Sequence, residues 1–446
     1  MPVAPSIFKA YDIRGIYPDQ LDERVAHAVG RAFVTLLGVE RVVVGRDMRL
    51  SGPPLFEALV DGLVTQGADV ADLGMVSTDQ YYFACATLET AGLMVTASHN
   101  PPQYNGFKMV RRMPYLLSGD EGIDDLRGLV QQGQFPTPER RGAVQPVDLS
   151  EAFVDKVLSV VEPGRLCPLA AVADTANGMV GPILQRVFER TPIELQGMYL
   201  EPDGSLPNHG LDPLQPENRA ALERRVVAEG ADLGLAFDGD GDRFFVIDDR
   251  GRFVSGDFLT ALLGEYLLER QPASRIIYDV RASWAVADRI EAAGGSAHME
   301  RVGHAFIKAR MVEEDALFGG EVTGHYYFRD FFSADSGIVP ALFVLEMVSQ
   351  RGCKLSELLA PLEAEYHISG EINSAVDDPV AKIEELASRY GHGDTSRLDG
   401  FSADFGDWHF NVRASNTEPL LRLNLEARDA ATMAARRDEV LGLIHS

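Results

Sequence analysis

Three aspartates separated by single glycines, Asp238, Asp240 and Asp242 in the run DGDGDR, are the densest chemistry in the sequence. Carboxylates this close repel one another unless a cation neutralises them. The alternating Gly239 and Gly241 permit a tight backbone path on which the three converge. Hard oxygen donors in such a cluster suit Mg2+, which takes few carboxylates and completes its shell with phosphate oxygens or waters. A solvated acidic hairpin is the plainer reading, but it needs only one Asp-Gly pair.

Two other readings of the same run can be tested on its letters. A calcium EF-hand loop requires Gly at its sixth position and Glu at its twelfth; counted from Asp238, these positions hold Arg243 and Asp249. A haloacid-dehalogenase-type phosphatase places Asp-x-Asp after an apolar strand, and LAFDGD satisfies that pattern with Asp238 as the nucleophile. On this motif alone, the phosphatase is a rival to the metal site.

A second centre is TASHNPPQYNGFK, residues 96–108, which follows the apolar run LMV. Ser98 sits where a strand gives way to a loop, the usual place for ligand contact in open α/β sheets. Asn100-Pro101-Pro102 stiffens the turn and Asn105-Gly106 reverses it. A serine hydroxyl is a poor nucleophile unless a base or a metal activates it. The surroundings lack the G-x-S-x-G elbow of a hydrolase. Ser98, with Lys108 nearby and the acidic cluster elsewhere, points to phosphoryl rather than acyl chemistry.

Three further groups read as recognition elements. In GEVTGHYYF an extended strand would put Glu321, Thr323 and His325 on one face, a row suited to sugar hydroxyls. In RASNTEP, Arg413 offers a planar fork for phosphate, and Ser415, Asn416 and Thr417 add donors, with Arg422 on the following strand. FKAYDIRG and GRDMRLSG place Lys9, Arg14, Arg46, Arg49 and Ser51 near the start, where surface charge is the competing reading. His304, in RVGHAFIK, reads equally as a satisfied histidine at a helix start.

Positioning these residues requires βα units. RVVVGRDMRLSGPPLFEALVDGL, LAAVADTANGMVGPILQRVF and RIIYDVRASWAVADRIEAAG each run from an apolar β-branched stretch through polar residues into a helical pattern. Strands alternating with helices imply a mostly parallel sheet. Three α/β domains built alike are expected. After about residue 366, HISGEINSAV and WHFNVRASNTEPLLRLNLEA read as strands, and IEELASRY and ATMAARRDEVLGLI as helices, a small α+β fourth domain. The polar stretches 131–146 and 248–256 are candidate linkers, and the expected domains span 1–147, 148–250, 251–365 and 366–446.

The 446 residues carry a formal charge of −26, which argues against nucleic acid or an anionic membrane as partner. An acidic protein that binds phosphate must gather its Arg and Lys locally. Cys85, Cys167 and Cys353 form no CxxC pair and read as three buried free thiols in a reducing compartment. With no signal-like start and no apolar run of about 20 residues, the expected location is the cytoplasm.

TASHNPPQYNGFK, DGDGDR, GEVTGH and RASNTEP occur together in the order and rough spacing of the α-D-phosphohexomutases, and FKAYDIRG fits the same pattern. The sequence resembles that family over nearly its whole length, and most closely its bacterial phosphomannomutase/phosphoglucomutase branch. Glucosamine mutases, the alternative branch, more often have Gln where this chain has Val322. The resemblance implies four domains around a central cleft and reversible phosphoryl transfer between the 1- and 6-positions of a hexose phosphate. It implies a hexose 1,6-bisphosphate intermediate that also serves as activator. By it, Ser98 is the phosphoserine and a metal ligand, and Asp238, Asp240 and Asp242 hold Mg2+. Glu321 and Thr323 face sugar hydroxyls, and Arg413, Ser415, Asn416 and Thr417 clamp the non-reacting phosphate. Lys108, Arg14, Arg243, His304 and His325 lie near the reacting oxygens. Arg281 stands where some relatives have Lys, and Thr323 where many have Ser. A monomer or weak dimer acting on hexose 1- and 6-phosphates is expected.

Overall fold

The computed structural model describes residues 3–119, 122–414 and 420–446. Two compact units emerge. One comprises the chain up to Phe253 together with His325–Gly352, the other Val254–Gly324 together with the chain from Cys353 onward.

In the first unit, β1 (Ile13–Ile16), β2 (Arg41–Arg46), β3 (Asp69–Met75), β4 (Ala91–Val95), β5 (Tyr104–Arg112), β6 (Tyr115–Leu116) and β7 (Val144–Pro146) form one sheet in the order β1-β5-β4-β2-β3-β7, with β6 on β5. The pairs β2–β4, β2–β3 and β3–β7 are parallel, whereas β1–β5 and β4–β5 are antiparallel. The valines of β2 are fully buried, as a strand covered on both faces requires. Helices Glu23–Leu37 and Gly52–Thr65 pack against the same core and lie close against each other. A Cβ on Gly62 would lie 2.2 Å from the His27 carbonyl oxygen, so only glycine allows this approach.

A second sheet in the same unit has the order β11-β10-β8-β9, from β8 (Ala170–Asp174), β9 (Glu194–Met198), β10 (Leu233–Phe237) and β11 (Phe244–Ile247). Phe237 pairs antiparallel with Phe244, so residues 238–243 are the connection of a hairpin. Asp238, Asp240 and Asp242 in it are all 0% exposed, which overturns the solvated reading while keeping the hairpin.

The second unit contains the parallel strands β12 (Arg275–Asp279), β13 (Ser296–Glu300) and β14 (Phe318–Gly320), with β12 in the middle. β15 (Tyr326–Phe328) and β16 (Ala334–Asp335) are an antiparallel pair belonging to the first unit. The C-terminal part of the second unit is an antiparallel sheet of β17 (His367–Ile368), β18 (Ile372–Ala375), β19 (Asp394–Ser396), β20 (Phe401–Asp404), β21 (Trp408–Ala414) and β22 (Leu420–Ala427). Helices Pro379–Tyr390 and Ala430–Ile444 supply Leu386, Tyr390, Val440 and Ile444 to its core.

Three expectations need correction. GEVTGH is not a strand: β14 ends at Gly320, the Gly324 N–H donates to the Glu321 carbonyl at 3.0 Å, and Gly324 lies at φ +83, closing a turn. Glu321, Thr323 and His325 therefore do not share a strand face. The stretch 131–146 is not wholly a linker, because its end becomes β7 and extends the first sheet. Of the cysteines, Cys85 alone is buried; Cys167 is exposed and Cys353 half-buried.

Candidate active site

The hairpin loop and the residue-96 loop meet in the first unit. Ser98 is 2% exposed, and its Oγ donates to Asp238 Oδ2 at 2.8 Å. Ligand oxygens of Asp238, Asp240 and Asp242 lie within 4.8 Å of one another. Asp238 Oδ1 accepts the N–H groups of Gly241 and Arg243 at 3.1 and 3.2 Å, which folds the loop back on its first carboxylate. Asp240 Oδ2 accepts Thr78 Oγ1 at 2.6 Å. Asp240 Oδ1 and Asp242 Oδ1 are buried without a hydrogen-bond donor among the described residues. Orphaned anionic oxygens at such spacing, with a serine hydroxyl beside them, fit a small divalent cation.

Lys108 comes from β5, next to β4 in the sheet, and is 6% exposed. Its ammonium donates to Asp240 Oδ2 at 2.7 Å and also to Asp242 Oδ2. Burial opposes its charge, but Asp240, Asp242 and Asp335 push its pKa up, so it stays an ammonium. The carboxylates split in consequence. Burial and its two acidic neighbours push Asp238 well above the usual range. Burial acts the same way on Asp242, yet Lys108, His325 and Arg243 hold it well below.

Around this core sit the other basic groups. Arg243 pairs its backbone with His325 in an isolated antiparallel bridge, and its Nε donates to His325 Nε2 at 3.3 Å. His325 Nε2 lies 3.6 Å from Asp242 Oδ1. His99, beside Ser98, is held neutral by burial and by the positive charges of Arg243 and Arg14. Arg14, on β1, donates to Asn100 Oδ1 at 2.6 Å and to Asp12 Oδ2 at 2.5 Å, which ties it to the serine loop.

The second unit holds a separate basic group. Arg281 is 3% exposed and bound in bidentate fashion by Asp279, at 2.9 Å from Nε and 2.8 Å from Nη2. Its Nη1 reaches Glu371 Oε2 at 3.2 Å, while Glu371 Oε1 accepts Arg422 Nη1 at 3.1 Å. Glu321 lies 3.7 Å from Arg281 Nη2. Arg413 is 5% exposed on β21, opposite Arg422 of β22. Glu371 thus bridges two arginines, Arg281 and Arg422, and Arg413 beside Arg422 adds a third to this basic group within a strongly acidic chain. His304 opens the helix His304–Glu313 behind Gly303. Ser415, Asn416 and Thr417 lie outside the described residues.

Models of the phosphoglucomutase/phosphomannomutase α/β/α domains I, II and III match residues 5–136, 151–251 and 255–366, and that of the C-terminal domain matches 371–443. The chain belongs to the phosphoglucomutase/phosphomannomutase family. It is 42% identical over 450 residues to a phosphomannomutase of Salmonella montevideo, covering 98% of this chain and 99% of that protein. Identity to the phosphohexose mutases of Xanthomonas campestris pv. campestris is also 42%, over 441 residues and 98% of each chain. The crystal structure of a phosphoglucomutase/phosphomannomutase family protein from Burkholderia thailandensis superposes with a TM-score of 0.90 at 35% identity, covering 98% of this chain and 96% of that one. The chain is thus a phosphohexomutase, an isomerase of hexose phosphates, and its acidic cluster fits a divalent metal. An aspartyl-phosphate phosphatase has no support in these likenesses.

The motifs of this phosphohexomutase do not account for every group at its site. Thr78 and Asp335 approach the acidic loop from elements that carry no motif, and Asp279 and Glu371 order the arginines of the second unit. A lone Thr or Asp leaves no signal in one sequence; these contacts exist only after the strands are stacked. The second unit also buries Asp257, in the first turn of Gly256–Arg270. Burial, with Asp279 and Glu426 close by, pushes it up to about 7 from 3.8. Its folded pKa exceeds the unfolded one, so its contribution to stability is complete below about pH 4 and is lost as pH rises through about 7. Asp257→Asn should therefore melt like the wild type near pH 4 and above it near pH 8. A difference in midpoint that stays constant across that range would contradict this account.

Proposed function

We propose that this phosphohexomutase moves a phosphoryl group between O1 and O6 of mannose or glucose phosphates, with Ser98 as the covalent carrier. The observation supporting it most is the 2.8 Å contact between Ser98 Oγ and the buried triple-aspartate loop. Phospho-Ser98 gives its phosphoryl group to the free hydroxyl of a hexose 1- or 6-phosphate. The P–Oγ bond breaks, the new P–O bond forms, and the hydroxyl proton passes to a base. The resulting hexose 1,6-bisphosphate turns over and returns its other phosphate to Ser98.

Ser98, Asp238, Asp240 and Asp242 would hold Mg2+, which supplies charge neutralisation at the phosphoryl oxygens when bound. Such transfer depends on positioning and charge more than on covalent assistance from side chains. Arg243 offsets charge on the moving group, and Arg14 and His304 join it near the reacting oxygens. Lys108 is held as an ammonium, which suits returning a proton. His325 Nε2 stands between Arg243 Nε at 3.3 Å and Asp242 Oδ1 at 3.6 Å, and it is the candidate for the base that takes the hydroxyl proton. Glu321 and Thr323 read the sugar hydroxyls. Arg413 with Ser415, Asn416 and Thr417 grips the non-reacting phosphate, and Arg281 assists. The work is divided among domains at 1–147, 148–250, 251–365 and 366–446. A cytoplasmic monomer or weak dimer, with hexose 1,6-bisphosphate as activator, completes the reading.

The test is to incubate the protein with hexose 1,6-bisphosphate and Mg2+, locate bound phosphate by peptide mass spectrometry, and assay isomerisation of mannose 1-phosphate and glucose 1-phosphate side by side. Phosphate on Ser98 together with turnover is the expected result. An adduct on Asp238, or binding without turnover, would refute the reading.

A further inference from the structure

Arg49 belongs to the GRDMRLSG run and lies between β2 and the helix Gly52–Thr65, where it is 3% exposed. A guanidinium carries five N–H donors in a rigid planar fork, and here all five have an acceptor. Nη2 donates to the carbonyls of Ser98 and Asn100, each at 2.7 Å. Nη1 donates to those of Pro101 and Tyr104, each at 3.0 Å. Nε donates to Asp47 Oδ2 at 3.2 Å. Asp47 is 0% exposed and also accepts Thr96 Oγ1 at 2.7 Å and the Arg49 backbone N–H at 2.9 Å. Thr96 Oγ1 in turn accepts the Ser98 N–H at 2.9 Å and stands 3.3 Å from Asp240 Oδ2.

The loop gathered in this way has an unusual backbone. Ser98 lies at φ +49, a left-handed conformation that a residue with a side chain keeps only where its surroundings impose it. Four carbonyls of the stretch 98–104 converge on a single cation, which is the arrangement that imposes it. The same network runs through Asp47 and Thr96 to the metal loop, so serine and metal ligands share one support.

We propose that Arg49, braced by Asp47, is a positioning residue for phosphoryl transfer: it winds the loop around its guanidinium and so aims Ser98 Oγ at Asp238. The inference rests on the reading of Ser98 as the phosphoryl carrier. Lysine cannot replace it, because three donors on a compact ammonium cannot serve four carbonyls and a carboxylate at once. A carrier displaced by about 1 Å costs on the order of 10²-fold in rate. Arg49 touches none of the groups assigned to holding the sugar, so KM should barely move.

The experiment uses the full-length enzyme with Arg49→Lys and, as a milder change that keeps shape and most acceptors, Asp47→Asn. For each, kcat is divided by the fraction of Ser98 that hexose 1,6-bisphosphate can phosphorylate, measured by mass spectrometry. Arg49→Lys should lower this normalised kcat by about 100-fold and Asp47→Asn by about 10-fold, with KM for the hexose 1-phosphate within threefold of wild type. A group that only supports the fold would lower the phosphorylatable fraction but leave the normalised kcat alone. Normalised values within threefold of wild type for both variants overturn the proposal; if Arg49→Lys does not fold, Asp47→Asn decides alone. A wild-type enzyme that takes no phosphate on Ser98 rejects instead the carrier reading beneath it.

Discussion

Ser98→Ala should lower isomerisation by about 10⁴-fold or more while leaving the protein folded. The size of the loss follows from the proposed role, in which the hydroxyl receives and gives up the phosphoryl group: removing a covalent participant costs far more than removing a binding contact. Folding should survive because the metal loop does not depend on the serine. Asp238 keeps the N–H groups of Gly241 and Arg243 on Oδ1, and Asp240 keeps Thr78 and Lys108. The measurement is a coupled isomerisation assay alongside a melting curve. Activity above about 1% of wild type in a variant with an unchanged melting point would remove Ser98 from the mechanism.

Lys108→Met should produce the largest change in stability, and the change should depend on metal. The lysine side chain is 7% exposed and its ammonium lies against Asp240 and Asp242, both 0% exposed. Deleting one partner of a buried ion pair leaves uncompensated charge, at a cost of about 3–5 kcal/mol. A divalent ion that binds only the folded loop should restore part of that loss by mass action. The expected pattern is a lowered melting point in chelator and a larger upward shift on adding Mg2+ than in wild type. Equal melting points for the two proteins in chelator would show that the ammonium does not neutralise the cluster.

Much of the site was legible because its chemistry is local. Three carboxylates on alternate residues stay close to one another, and glycines between them allow the bend, so a clustered acidic loop that fits a divalent metal can be read from the spacing. The βα units were legible for a similar reason: apolar runs such as RVVVG and LGLAF, bounded by polar turns, can be satisfied only as buried strands. The GEVTGH turn was misread because strict alternation of side chains looks the same in a strand and in a turn closed by a glycine with positive φ. Arg49 was visible only as a charge, since nothing within GRDMRLSG says that four carbonyls from residues 98–104 will close around it.

The sequence by itself thus determined which groups are available: a hydroxyl after one strand, three carboxylates after another, and arginines spread along an acidic chain. Tertiary structure decided which of them meet. The strand order β5-β4-β2 sets Lys108 beside the Ser98 loop, and the fold of the first unit brings both against a hairpin more than a hundred residues away in the chain. Burial then separated the carboxylates, because in the protein interior Lys108, His325 and Arg243 pull Asp242 well below the usual range while burial and its acidic neighbours push Asp238 well above it. Spacing within a motif constrains neighbours along the chain, whereas the dielectric and the partners that set a pKa come from residues distant in sequence.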